Sequence, residues 1–379
     1  MKILHIIYTN GIGGAEKHLK YLLPGLKMEG IDCELLILCP NNSINLLNIL
    51  ANEIKHEGVK STVISIKSNI SLTTLEIVKK FLIDNHFSVV HSHLLRTDLI
   101  ISLVKQFYIK NLFIISTKHG YQEKVLIKYN PNRPNIKRNI VYYITKYTFS
   151  KIDKNISVSK YISQLFINLK LTKQFFPVIY HGVNIEINLP DNQSIFKESF
   201  KQLIIVGRLE ESKGHIYAFK AFKIITEKHP NSKLILLGEG SIKESLKKAA
   251  EELGLTDKIL FLGFQKYPFS FISQSNIIII PSLYESFGLV FIEAMALGKT
   301  IVAFDAPAGN EILQNNVTAI LSQKGDMNLL AKNILALLED KDKSNRISIN
   351  ALNKYKESFT VQIMITNTAN FYKKVLNTL

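Results

Sequence analysis

The sequence predicts an α/β protein of two doubly wound parallel-sheet domains, and three observations carry that prediction. Short apolar, β-branched runs alternate with amphipathic stretches of helical period, the pattern of βαβ units. A polar segment at 185–200, with Pro190 and few apolar residues, interrupts the alternation, which then restarts. The 379 residues are enough for two domains of ordinary size.

In chain order, strands are expected at 3–8, 33–38, 62–66, 89–91 and 112–116. Helices are expected at 15–28, 44–56, 73–85 and 98–104. A helix at 136–149 and a strand at 155–159 close the first half. The second half resumes with strands at 203–206, 234–237, 259–263, 277–280 and 301–304. Of these, 277–280 is a pure isoleucine run of the kind buried on both faces of a parallel sheet. Pro281 cannot donate to a ladder and stops that strand. A helix at 289–297 follows, with Gly298 as its C-cap. A terminal helix at 359–376 ends the chain. The expected domains are 1–184 and 201–358, joined by the linker 185–200.

Function is carried by the loops after these strands. In an open α/β sheet, ligands bind outside the carboxyl ends of the strands. The string PSLYESFGLVFIEAMALGKT at 281–300 puts free N–H groups near Gly288, Leu289 and Val290 at a helix start, which suits a phosphate. Glu285 and Glu293 flank that anion site eight residues apart. Arg208 and Lys213, in the loop GRLEESKG, are two cations five apart that can converge on one diphosphate. Gly238 and Gly263 end two further strands. In the first half, the loop NGIGGAE at 10–16 lets backbone approach a ligand but is not G-x-G-x-x-G, so it gives no dinucleotide fingerprint. His93 and His119 each follow a strand, where an imidazole serves either packing or proton transfer; His91 reads as packing.

These strings resemble the retaining glycosyltransferases of family 4, which have the GT-B fold: two Rossmann-like domains facing a cleft. The matching elements are E-x7-E at Glu285 and Glu293, GGAE at 13–16, the V-V-H-x-H run to His93, T-x-H-G at His119, G-R-L-x-x-x-K-G at 207–214, G-x-G at 238–240 and F-L-G at 261–263. Departures are Ser88 where Asp is usual, His181 and Asn184 in the turn closing the first domain, and one glycine missing before Asn310–Glu311. The resemblance implies His119, Glu285, Arg208 and Lys213 as catalytic residues. It implies donor binding by Gly13, Gly14, Arg208, Lys213, Gly238, Gly263, Glu285, Ser286, Phe287, Gly288, Leu289, Val290 and Glu293. Glu293 would hold ribose hydroxyls, and Glu285 the sugar ring. Gly14, Glu16 and His93 would face the acceptor, and the helix 359–379 would pack back onto the first domain. The implied activity is transfer of a hexose or N-acetylhexosamine from a nucleotide-diphosphate sugar, UDP favoured, to a glycan or lipid-linked acceptor of a surface polysaccharide or lipopolysaccharide. The one D-x-D string, Asp340-Lys341-Asp342, lies outside the loops named above, so no metal and no separate cofactor are expected. A nucleotide-sugar epimerase and a non-catalytic nucleotide-sugar-binding protein are the alternatives of the same fold.

Composition narrows the partners. The net charge is +16, and residues 1–190 hold 24 Lys+Arg against 12 Asp+Glu. The excess is densest over 118–173, where aromatics interleave with the basic residues. That suits an anionic bilayer face and, without a recognition module, does not argue nucleic acid. No apolar run reaches membrane-spanning length. The two cysteines, Cys33 and Cys39, form neither metal pattern nor disulfide framework. The expected location is cytoplasmic, peripheral on the inner membrane face.

Overall fold

A computed structural model of the chain describes residues 2–66, 70–121, 139–185, 200–265 and 268–377. The expected loop at 130–134, the start of the helix 136–149 and nearly all of the linker 185–200 lie outside these. The chain divides into two compact units, Met1–Gly182 with Val361–Leu379, and Val183–Thr360.

The first unit has strands β1 (Ile3–Tyr8), β2 (Cys33–Cys39), β3 (Ser61–Ser65), β4 (Val89–His93), β5 (Phe113–Lys118) and β6 (Lys154–Ser157). They form one sheet in the order β3-β2-β1-β4-β5-β6, with every pairing parallel. Helices α1 (Gly14–Met28), α2 (Ile44–His56), α3 (Leu72–Asp84), α4 (Leu95–Phe107), α5 (Ile140–Lys151) and α6 (Lys160–Asn168) connect or follow the strands. Because both faces are covered, β1, β2 and β4 are buried at every position. That is why they read as apolar runs and not as alternating strands. Strand order reverses between β1 and β4, the crevice where such sheets bind ligands.

The second unit repeats the plan. Strands β7 (Lys201–Val206), β8 (Ser232–Leu237), β9 (Ile259–Gly263), β10 (Ile277–Ile280), β11 (Thr300–Phe304) and β12 (Ile320–Ser322) form a sheet in the order β12-β11-β10-β7-β8-β9. Its helices are α7 (His215–Lys228), α8 (Lys243–Glu252), α9 (Pro268–Gln274), α10 (Leu289–Ala296), α11 (Gly309–Ile312), α12 (Met327–Glu339) and α13 (Lys341–Ser358). Phe219, Phe222, Phe304 and the isoleucines of β10 are fully or almost fully buried. The order reverses between β7 and β10, so the loops after those two strands share one rim. Leu297 caps α10, and Gly298 follows it with φ +58°, its N–H donating to Met295 O at 3.0 Å. A left-handed residue just past the cap ends a helix at least cost when it is glycine.

The last helix, α14 (Val361–Leu376), belongs to the first unit and packs on α1. It delivers Tyr372, whose side chain is fully buried there.

Candidate functional site

The rim of the second sheet is built by stitching three loops together. After β7, Gly207 donates its N–H to Leu237 O at 2.9 Å and Leu209 donates to Glu239 O at 2.9 Å. Gly238 N–H reaches Gly263 O at 2.8 Å. Gly238 has φ +145°, and a Cβ there would lie 1.9 Å from Gly207 O, so only glycine lets these turns meet. The loop after β10 joins in when Leu283 N–H donates to Ser212 O at 2.7 Å. Gly214 has φ +65°, and a Cβ there would fall 2.0 Å from Pro281 O. The close approach of those two backbones sets Lys213 against the Pro281–Gly288 loop.

Lys213 Nζ donates to Glu285 Oε1 at 2.7 Å, and Ser282 Oγ donates to the same oxygen at 2.8 Å. Glu285 is 7 % exposed and Glu293 5 %, so neither glutamate is a solvated surface charge. Arg208 is exposed on the same β7 loop. Gly288, with φ +88°, is the N-cap of α10 and supplies no side-chain cap, so the first N–H groups of that helix face the rim uncapped by a side chain. Phe287 is buried and packs edge-on to Phe359 at 6.2 Å, while Ser286 Oγ shares a 3.1 Å hydrogen bond with Tyr284. Cations, carboxylates and uncapped amides therefore occupy the switch point between β7 and β10. Such a set neutralises a diphosphate and hydrogen-bonds hydroxyls.

The first unit holds a second constellation. Register across the parallel ladder pairs His5 with His91, and His93 with Thr117. His5, His91, His93, His18 and His181 are buried, and His119 is half-buried. His5 Nδ1 lies 3.1 Å from His93 Nε2, and His93 Nδ1 lies 3.0 Å from His119 Nε2. His181 Nδ1 and His18 Nδ1 are 2.8 Å apart. Burial holds the imidazoles of His5 and His18 down to about 3, and burial keeps those of His91, His93, His119 and His181 well below the usual range. Six of the ten histidines of the chain thus meet as neutral rings.

Beside them, Lys118 Nζ donates to Asp98 Oδ2 at 2.6 Å, and Asp98 Oδ1 accepts from Ser92 and from Ser116, the latter at 2.7 Å. Lys118 also lies 4.7 Å from the centre of the Phe149 ring. The pair is almost wholly buried, with side chains 6 % and 2 % exposed. Burial lowers the lysine, opposed by Asp98. This corrects the place of Lys118 in the sequence reading. It is the first residue of the basic stretch, but it anchors the end of β5 inside the unit. Glu16 Oε2 accepts from Gly13 N–H at 2.8 Å and caps its own helix. His91, read as packing, is hydrogen-bonded to Tyr372 and to Thr117.

The structure thus brings Lys213, Glu285 and Gly288 together on one loop rim, with Gly238 and Gly263 on the adjoining turns. In the other unit it brings His93 and His119 together at β4 and β5. Sequence reasoning missed His5, His18, Tyr372 and the Asp98–Lys118 pair. The available signal was histidine in the middle of the strands at 5 and 91, which only the ladder register turns into contact.

Two α/β units of identical strand order, one carrying a diphosphate-type rim, are the GT-B class of fold. Matches to known proteins agree with this. Residues 12–187 match the model of Glycosyltransferase Family 4, and residues 189–354 match that of Glycosyl transferases group 1. The chain belongs to the family 4, group 1 glycosyltransferases. An uncharacterized glycosyltransferase of Methanocaldococcus jannaschii is 33% identical over 213 residues, 54% of this chain and 49% of that one. A second from the same organism is 35% identical over 155 residues, 38% of this chain and 40% of its own. The chain thus spans about half the length of the first relative and less of the second. Among solved structures, Anabaena HepE in complex with UDP superposes with a TM-score of 0.80 at 18% identity, covering 99% of this chain and 100% of that one. A glycosyltransferase from Rickettsia africae gives 0.78 at 21% identity, covering 99% and 98%.

Proposed function

We propose that the protein is a retaining glycosyltransferase that moves a hexose or N-acetylhexosamine from a UDP-sugar to a lipid-linked or surface glycan. The observation that carries the reading is the Lys213–Glu285 pair set beside the uncapped start of α10 at the switch point of the second sheet. The leaving group is a nucleoside diphosphate, whose charge grows as the glycosidic bond breaks. Arg208, Lys213 and the amides of Gly288, Leu289 and Val290 stabilise that charge as preorganised donors. They provide a metal-independent route, because two side-chain cations and a helix end supply what a divalent ion otherwise would. Glu285 orients the transferred sugar and Glu293 the ribose. Lys213 exchanges part of its bond to Glu285 for phosphate oxygens when donor binds.

The acceptor is assigned to the first unit, at His93, His119 and the Gly13–Gly14 loop. HepE was solved with UDP-glucose, which supports a UDP donor by likeness of fold. A Campylobacter jejuni relative, 28% identical over 38% of both chains, is named for transfer of N-acetylgalactosamine onto a diphospho-undecaprenol glycan. Lipid-linked acceptors fit the surface of α5, where Ile140 is 72 % and Tyr143 56 % exposed one helical turn apart, followed by exposed Lys146. No helix among the described residues is long and apolar enough to cross a membrane, so contact with a bilayer would be peripheral.

The test is release of UDP from a panel of UDP- and GDP-sugars, with and without undecaprenyl-diphosphate glycans, with product configuration read by NMR. Acceptor-dependent release with retained configuration is expected. Isomerisation of the free nucleotide sugar without acceptor would make the protein an epimerase instead.

A further inference from the structure

Five side chains of the first unit form an unbroken file of hydrogen bonds that ends on His119. Thr117 Oγ1 lies 2.7 Å from His91 Nε2. His91 Nδ1 bonds the Tyr372 hydroxyl, which lies 3.1 Å from His5 Nε2. His5 Nδ1 then meets His93 Nε2 at 3.1 Å, and His93 Nδ1 meets His119 Nε2 at 3.0 Å. At the open end, His119 Nδ1 is buried and has no hydrogen-bond partner among the described residues.

A neutral imidazole has one N–H and one lone pair. A filling in which Tyr372 accepts from both His91 and His5 leaves the tyrosine proton and the His119 Nδ1 lone pair unplaced. Otherwise, with both nitrogens of His5, His91 and His93 engaged, the file can be filled in only two continuous ways. Either all four rings carry the proton on Nδ1 and donate toward His119, or all carry it on Nε2 and donate toward Thr117. The two ends decide between them. Among the described residues the Thr117 hydroxyl has one partner, His91. In the Nε2–H arrangement Thr117 must accept from His91, leaving its own proton unplaced, and His119 Nδ1 keeps a lone pair without a donor. In the Nδ1–H arrangement Thr117 donates and a single group stays open, the His119 Nδ1–H. One buried open group costs less than two.

We propose that Thr117, His91, Tyr372, His5 and His93 are positioning residues that lock His119 as a neutral Nδ1–H donor, aimed at an oxygen of an acceptor bound to the first unit. The chemical role is that of an uncharged electrophile: His119 polarises a substrate hydroxyl or ring oxygen without giving up its proton. Burial of the His5, His91 and His93 rings and of the His119 Nδ1 atom supports their neutrality. The same three inner rings also place their nitrogens within 4.8 Å of one another, a spacing open to a metal ion. The file is complete without one, because each of those nitrogens already has a partner.

The role in transfer rests on the function proposed above, but the tautomer does not, so the two are measured separately. Histidine-selective 15N labelling of the full chain at pH 7.5, read through long-range 1H–15N correlations, reports the tautomer of each ring. The expected result is a common Nδ1–H pattern for His5, His91, His93 and His119. Tyr372→Phe interrupts the file and should leave His5, His93 and His119 in mixed tautomers. Its kcat should fall about tenfold with the donor KM unchanged. Nε2–H or imidazolium patterns in the wild type, an unchanged pattern in Tyr372→Phe, or stoichiometric zinc in the purified protein would each overturn the proposal. Failure to find any transfer would remove the assigned reaction and leave the tautomer result readable.

Discussion

Lys213 Nζ and Glu285 Oε1 stand 2.7 Å apart although 72 residues separate them in sequence. The contact exists because Gly214 lets the β7 loop touch the carbonyl of Pro281. The cation proposed to bind phosphate and the carboxylate proposed to bind the sugar thus hold each other in place. Lys213→Ala leaves the Glu285 carboxylate buried with Ser282 alone, a loss on the order of 1–3 kcal/mol. The urea midpoint of the second unit should drop accordingly, and Lys213→Ala/Glu285→Gln should recover part of it. A midpoint unchanged in the single variant would mean the pair adds no stability.

Gly214→Ala should abolish nucleotide binding, because its Cβ would sit 2.0 Å from Pro281 O in a left-handed backbone. The expected destabilisation is on the order of 2 kcal/mol or more. Gly11→Ala is the control, since a Cβ there meets nothing within 4 Å. Equal melting temperatures for the two variants would contradict the account of the rim.

Acid should unfold the first unit early. The folded-state values of His5 and His18, about 3, lie below the ordinary histidine range because the rings are buried. Stability is therefore full above about pH 6.5 and falls as pH drops from there toward 3. At pH 5.5 these two cost about 3 kcal/mol together, a large share of a typical 5–15 kcal/mol. His91, His93 and His181 act in the same direction. Denaturant titrations followed by circular dichroism at pH 7.5 and 5.5 measure the difference, and equal midpoints would refute it.

Asp98→Asn removes the counter-charge of Lys118 inside the unit, where the pair is 2 % and 6 % exposed. Breaking a buried pair from one side costs about 3–5 kcal/mol. The melting temperature should fall steeply, and Asp98→Asn/Lys118→Met should regain much of the loss. An Asp98→Asn protein as stable as wild type would show the lysine to be hydrated.

Much of the fold was legible because a two-sided parallel sheet writes itself as apolar runs separated by helical periods. The expected β1 at 3–8, β9 ending at Gly263 and β10 at 277–280 coincide with the structure. The expected second strand stopped one residue short at 38, since Cys39 scores neither as β-former nor as turn. The rim was legible for a different reason: glycines, cations and carboxylates cluster in loops immediately after strands. The histidine cluster was not. His5 meets His91 only through the register of β1 and β4, and Tyr372 arrives from a helix 367 residues along the chain from His5. Lys118 looked like the start of a basic surface because a sequence shows charge but not the buried Asp98 that answers it.

The switch-point rim of the second unit is proposed to hold the diphosphate of a nucleotide sugar. Calorimetric titration of UDP into the wild type and into Arg208→Ala and Lys213→Ala, all in EDTA, tests it most directly. One saturable site in the wild type, weakened at least tenfold in both variants, is the predicted result. Absence of UDP and GDP binding, or equal affinity in all three proteins, would contradict it.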